Sequence, residues 1–234
     1  MSSAIASAPP LPPAAPPAGW LPQAGKVLVV LARPGQESAD LGGLLYAFRR
    51  AGAGLALLCL SRGEASPLNS TGYARLEAIR PWELQLAASV LGISQVTVAS
   101  FADGRLSRQP GTELGERIGR AIRQHAANLL LVIDPAAVDP EDVAVAAAAC
   151  AAATQAGVPV LAHTTWGGPG AWTIDLGPDA ATARAIQKAA AAAHESQSAA
   201  LPELIRRLDL LDGQEHLRWL VRPNATGRLR AGSD

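Results

Sequence analysis

Histidine is scarce in this chain: among 234 residues there are only His125, His163, His194 and His216. A site built on several imidazoles is therefore tightly limited. Cysteine is scarcer still. Cys59 and Cys150 sit in apolar stretches, which excludes a disulfide framework and a C-x-x-C metal knuckle. Charge of either sign is not in excess, with 20 basic and 20 acidic side chains and a pI near 6.9. No electrostatic footprint for nucleic acid or an anionic membrane is expected. No run is long and apolar enough to span a bilayer, and the N-terminus lacks the basic start and apolar stretch of a signal peptide. A cytoplasmic protein is the expectation. No G-x-G-x-x-G or G-x-S-x-G occurs, which argues against a dinucleotide site of the usual kind and against a serine nucleophile elbow.

What is present is regular alternation. Residues 1–25 hold seven of the 18 prolines and read as a Pro/Ala-rich extension. The stretches 26–32, 54–61, 95–99, 128–133, 158–163, 172–176 and 215–221 read as strands, the first ones wholly apolar as in buried parallel sheets. Helical patterns fall at 38–51, on both sides of Pro81 and through 82–91, then at 113–125, 143–156, 179–193 and 202–211. This predicts one α/β domain over 26–222, a Rossmann-like, doubly wound, mostly parallel sheet with helices on both faces, followed by a tail at 223–234. The Gly/Pro-rich stretch 163–172, which carries Trp166, reads as a hairpin tip or as a rim for a ring-shaped ligand.

Ligands in such sheets bind beyond the carboxyl ends of the strands where strand order reverses. That selects residues 32–38 and 134–142. In the second loop Asp139 suits an N-cap, Pro140 the first helical position, and Glu141 and Asp142 the first turn facing the helix dipole. The same helix start faces the crevice.

The order of several short motifs resembles the LmbE/PIG-L superfamily of zinc-dependent N-acetylglucosaminyl deacetylases. The family pattern A-H-P-D-D-E matches Ala32-Arg33-Pro34-Gly35-Gln36-Glu37, and H-P-D-H matches Asp139-Pro140-Glu141-Asp142. Ser61-Arg62-Gly63-Glu64, Arg80 with Glu83, Phe101–Leu106 around Asp103, and Lys188 with His194, Ser196 and Gln197 also fit. The resemblance implies the α/β fold, amide hydrolysis and a zinc ion. It implies zinc ligands at Arg33, Gln36 and Asp142, and the general base at Gly35.

Those four positions depart from the pattern. Zinc takes imidazole, thiolate or carboxylate ligands. Arginine cannot ligate, glutamine is a weak neutral donor, and glycine cannot accept a proton. The expectation is a protein without a cofactor, in which the Arg33 guanidinium takes the ion's place and pairs with Asp142 or a neighbouring acid. Its ligand would be a sugar-like or anionic small molecule, with Arg33, Gln36, Glu37, Glu64, Arg80, Asp103, Asp139, Asp142 and Trp166 as candidate contacts. Arg62 and Arg105 lie in nearby strand-end segments, and Arg80 is expected to pair with Asp103, Glu64 or Glu83. The alternative is an active deacetylase holding zinc, or a harder divalent ion on Glu37, Asp139, Glu141 and Asp142. The Ala/Arg-rich, Lys-poor composition suits a high-GC bacterial gene, where such proteins serve sugar or secondary metabolism. A homo-oligomer with the N-terminal extension reaching a neighbour is also open.

Overall fold

A computed structural model of the chain describes residues 19–68, 75–137 and 139–223. Most of the Pro/Ala-rich extension and all but the first residue of the C-terminal tail lie outside these residues. In chain order the elements are β1 (Lys26–Leu31), α1 (Gln36–Ala39), α2 (Gly42–Arg50), β2 (Gly54–Ser61), α3 (Leu76–Leu91), β3 (Gln95–Phe101) and α4 (Gly111–His125). They continue with β4 (Leu129–Ile133), α5 (Pro140–Ala156), β5 (Val160–Thr164), β6 (Trp172–Asp175), α6 (Ala180–Ala192), α7 (Leu201–Leu211) and β7 (Gln214–Val221).

The seven strands form one sheet in the order β3-β2-β1-β4-β5-β7-β6. The first five are parallel, and β7 runs antiparallel to both β5 and β6. Strand side chains alternate between faces. Val27, Val29 and Leu31 therefore meet Leu44, Phe48, Leu84 and Leu91, while Leu28 and Val30 meet Leu114, Ile118, Val145 and Ala149 on the other side. Chain order reverses at β1, flanked by β2 and β4, and this places the crevice at their carboxyl ends. Trp20, Leu21 and Ala24 pack against the first cluster, where Trp20 joins Trp172 and Trp219.

Three sequence expectations are corrected. The helix expected over 38–51 is two helices, because the chain must approach α6 and β7 closely at Gly42 and Gly43. A Cβ on Gly43 would lie 2.1 Å from Glu215 Oε1, and one on Gly42 would lie 2.5 Å from Gln187 Cγ. Pro81 neither starts nor ends a helix but sits inside α3. A proline there costs the helix a hydrogen bond, yet continuing it buries Leu84, Ala87, Ala88 and Leu91 together. Residues 163–172 are not a hairpin tip, since β7 lies between β5 and β6. Among the described residues no helix is long and apolar enough to cross a membrane.

Candidate functional site

The chain leaves β1 at Leu31 and turns through Gly35, whose φ of 102° is in the left-handed region that favours glycine. This turn carries Arg33 toward the start of α5. There Asp139 caps the helix, accepting from the Glu141 N–H at 2.9 Å. Arg33 Nη2 donates to Asp139 Oδ2 at 2.6 Å and to Glu141 Oε2 at 3.3 Å, while its Nε lies 3.8 Å from Asp103 Oδ1. Burial works against the charge on Arg33, but the Asp139 hydrogen bond and the surrounding carboxylates outweigh it and raise its pKa. Asp139 is also partly desolvated, yet its bonds from the Glu141 N–H and Arg33 hold it below the usual aspartate value.

Gln36 forms the second pair. Its Oε1 accepts from the backbone N–H groups of Ala32 and Arg33, which leaves Nε2 to donate to Asp142 Oδ1 at 2.8 Å. Burial pushes the Asp142 carboxyl up to about 6, against the lowering effect of the Gln36 bond. The expected partner of Arg33 is thus found among the neighbouring acids, Asp139 and Glu141, and Asp142 belongs to Gln36.

Glu37 is fully buried and faces away from this pair. Its Oε2 accepts from the Gly35 N–H at 2.8 Å, and its Oε1 receives the Ser38 hydroxyl and meets His194 Nε2 at 2.6 Å. Desolvation opposes its ionisation, but His194 and Ser38 hold the pKa below the normal value. Arg80 corrects another expectation. Its guanidinium bonds to no carboxylate but donates to the carbonyls of Gly63 and Pro34, each at 2.5 Å, clamping the turn after β2 to the turn after β1. Asp103 accepts from the Ser61 hydroxyl and the Ala65 N–H, and Glu64 Oε1 accepts from the Asp103 N–H. Both acids therefore fix loops at the crevice edge.

Two cavities open at the crevice, and Arg33, Leu68, Arg80 and Gln197 line both. The polar cleft, about 610 Å³, is bounded by Asp103, Asp139, Glu141, Ser66, Ser107 and Arg108. The smaller cavity, about 170 Å³, is mostly apolar and lies toward α6 and α7. Arg33, Gln36, Arg80, Asp103 and Asp139 are brought to these walls. Trp166 is exposed on the β5–β6 loop and lines neither cavity, and the same holds for the exposed Arg62 and Arg105.

Several buried groups serve the scaffold, and of these sequence reasoning passed over Arg184 and Glu215. Glu83 accepts from the N–H and hydroxyl of Ser196, each at 2.7 Å, joining α3 to the segment before α7. His163 is a structural residue, with Nε2 2.6 Å from Glu215 Oε2, and Arg184 Nη1 reaches Glu215 Oε1 at 2.6 Å. The burial of Glu215 opposes its charge, but these two partners keep its pKa low. The signals for these pairs were the glycines at 42 and 43 and the charged residues in otherwise apolar elements.

The family model for PIG-L, GlcNAc-PI de-N-acetylase, matches residues 28–153, from within β1 through most of α5. The chain belongs to the PIG-L family. A curated relative from Bacillus anthracis, named "Probable N-acetyl-alpha-D-glucosaminyl L-malate deacetylase 2", is 28% identical over 120 residues. That match covers 49% of this chain and 53% of the relative, so the chain spans about half the length of the protein it matches. Among solved structures, a deacetylase–bog complex from the biosynthesis pathway of teicoplanin superposes with a TM-score of 0.68 at 17% identity, covering 83% of this chain and 96% of that one. GalB, the 4-carboxy-2-hydroxymuconate hydratase of Pseudomonas putida KT2440, gives a TM-score of 0.66 at 18% identity, covering 89% and 99%. At these identities the likeness is one of fold.

In this PIG-L chain the three positions matched to zinc ligands do not fit a zinc ion. Arg33 brings a fixed cation already held by two carboxylates. Gln36 has its oxygen engaged by backbone and turns an N–H donor to Asp142, the one anionic group of the three. Zinc needs lone pairs directed at one point. Among the described residues, no group of three or more His, Cys, Asp and Glu side chains is arranged to hold a metal.

Proposed function

We propose that this PIG-L protein binds a sugar-like or anionic small molecule in the crevice between β1 and β4 without zinc, and that it does not hydrolyse amides. The observation that carries the reading is the pair of closed bonds, Arg33 to Asp139 and Gln36 to Asp142. Arginine supplies positive charge where a dication would sit, but it cannot lower the pKa of a water molecule as a metal does. Gly35, at the base position, has no side chain to take a proton, so two separate requirements of hydrolysis fail together. The polar cleft keeps the means for recognition: three guanidiniums, three carboxylates and two hydroxyls around about 610 Å³.

The second reading is an active N-deacetylase with unusual metal ligands, and the family and the name of its Bacillus anthracis relative favour it. Against it, Glu37 is committed to Gly35, Ser38 and His194, and Glu141 Oε1 accepts from the Leu106 N–H at 2.7 Å. These acids do not converge with Asp142 on one point. The hydratase GalB, of similar fold, supports the view that this scaffold serves chemistry other than deacetylation.

An amide-hydrolysis assay on an N-acetylglucosaminide, with and without added Zn²⁺, combined with thermal unfolding in the presence of the same compound, separates the readings. The proposal expects no product in either assay and a raised Tm with the compound. Zinc-dependent release of acetate would overturn it.

A further inference from the structure

The outer face of α3 carries an apolar stripe that the crevice does not use. Trp82, Leu86 and Val90 recur at helical spacing on one side of α3 and are 66%, 44% and 40% exposed. They are surplus to the core, since α3 already buries Leu84, Ala87, Ala88 and Leu91 against the sheet. Charge is missing around them. From Pro81 through Phe101 the sequence holds one charged residue, Glu83, and that one is buried on Ser196. The other exposed residues of this span are serines and glutamines. α3 leads into β3, an edge strand bonded to β2 alone among the described strands, where Val96 and Val98 are only partly buried. Natural proteins commonly guard such an edge with charged side chains, and this one has none. The charges nearest the stripe lie beyond its ends: the Arg75–Glu77 pair at the start of α3, and Arg49 over Gly92 after it.

We propose that this face binds a second copy of the chain across a two-fold axis through Leu86. Residues spaced by four form the ridge on which helices most often pack, crossing at about 50°. Two antiparallel copies of α3 set Leu86 on its own counterpart and Trp82 opposite Val90 of the partner subunit, a large ring against a small side chain, twice. Charge decides for a second copy over another partner. Groups near a two-fold axis meet their own copies, so a charge there would face a like charge, and an uncharged stripe is what self-pairing requires. The described ends of the chain lie elsewhere: the Gly19 N–H donates to Thr173 on β6, and Pro223 follows β7, both at the far edge of the sheet. Three apolar anchors are few against a standard contact of about 800 Å² per partner, so the dimer should be weak, with a Kd on the order of 10 µM.

The test is analytical ultracentrifugation of the full chain from about 1 to about 200 µM, a range that brackets such a Kd. The native chain should pass from monomer to dimer. Leu86→Glu and Leu86→Lys each set like charges on the axis and should each raise the Kd at least about tenfold. Mixed in equal amounts, the two variants should pair again, because opposite charges then face each other. That recovery also shows that both variants are folded, as expected for changes at an exposed position. Trp82→Ala, which removes the largest anchor, should weaken the dimer by about tenfold or more. A chain that stays monomeric to about 200 µM, a dimer indifferent to both charges at Leu86, or charge variants that fail to pair when mixed would overturn the proposal. None of these results bears on zinc or amide hydrolysis, so a failure here is distinct from a failure of the metal-free reading.

Discussion

Arg33 Nη2 stands 2.6 Å from Asp139 Oδ2, so a side chain two residues beyond β1 is tied to the residue that caps α5. The bond bridges the two strand ends that form the crevice. Asp139 thus has two tasks, helix cap and counter-ion, and Glu141 in the first turn of α5 shares the second.

Replacing Arg33 by alanine removes the cation from both acids and leaves Glu141 buried without it. The pair is partly exposed, so screening limits the loss. Arg33→Ala should destabilise the protein by about 1–2 kcal/mol in denaturant unfolding. Arg33→Lys, with one point charge in place of a planar fork, should recover part of this. An unchanged midpoint for Arg33→Ala would show that the bridge contributes nothing.

Gly43 lies against the Glu215–Arg184 pair, where a Cβ would fall 2.1 Å from a carboxylate oxygen and 2.5 Å from Arg184 Nη1. Gly43→Ala should cost about 1–3 kcal/mol through overpacking of this buried network. Gly111→Ala, at the first residue of α4 with open space around its Cα, should be neutral or slightly stabilising. Equal Tm shifts for the two would contradict the close approach.

Glu215 is ionised between His163 and Arg184, with its pKa held below the ordinary 4.5. The unfolded chain therefore takes up its proton first as pH falls. The stability this group contributes is complete above the unfolded value and is lost as pH drops through the lowered folded one. Unfolding midpoints from pH 7 to pH 3 should fall for the native chain, and Glu215→Gln should flatten that fall while lowering stability at pH 7. A parallel decline in both proteins would contradict the assignment.

Gly35→Asp would restore a carboxylate at the family's base position, but on a backbone at φ 102°. An L side chain there costs about 1–2 kcal/mol. The variant should unfold earlier than the native chain and gain no amide hydrolysis by itself. Turnover from this single change would mean that a metal is already in place.

Much of the fold was legible because buried parallel strands are short apolar runs. Lys26–Leu31, Gly54–Ser61 and Leu129–Ile133 stand out between helices with recognisable ends, such as Asp139-Pro140 at the start of α5. The crevice followed from strand order. The departures at Arg33, Gly35, Gln36 and Asp142 were equally visible, since they are residue types at motif positions. What a linear pattern could not show was which groups pair across long separations. His194 reaches Glu37 over 157 positions, Glu215 serves both His163 and Arg184, and Arg80 chooses carbonyls over nearby acids. Pro81 remained helical because the packing of α3 outweighed a local preference, which no window around the proline displays.

The most direct test is equilibrium dialysis of the native chain and the triple variant Arg33→His, Gln36→Asp, Asp142→His against Zn²⁺, followed by elemental analysis. With Arg33 and Gln36 closing the ligand positions, the native chain should retain no stoichiometric zinc, and the triple variant should retain about one ion per chain. One tightly held zinc per native chain, removable by chelator, would contradict the replacement of the metal by the arginine.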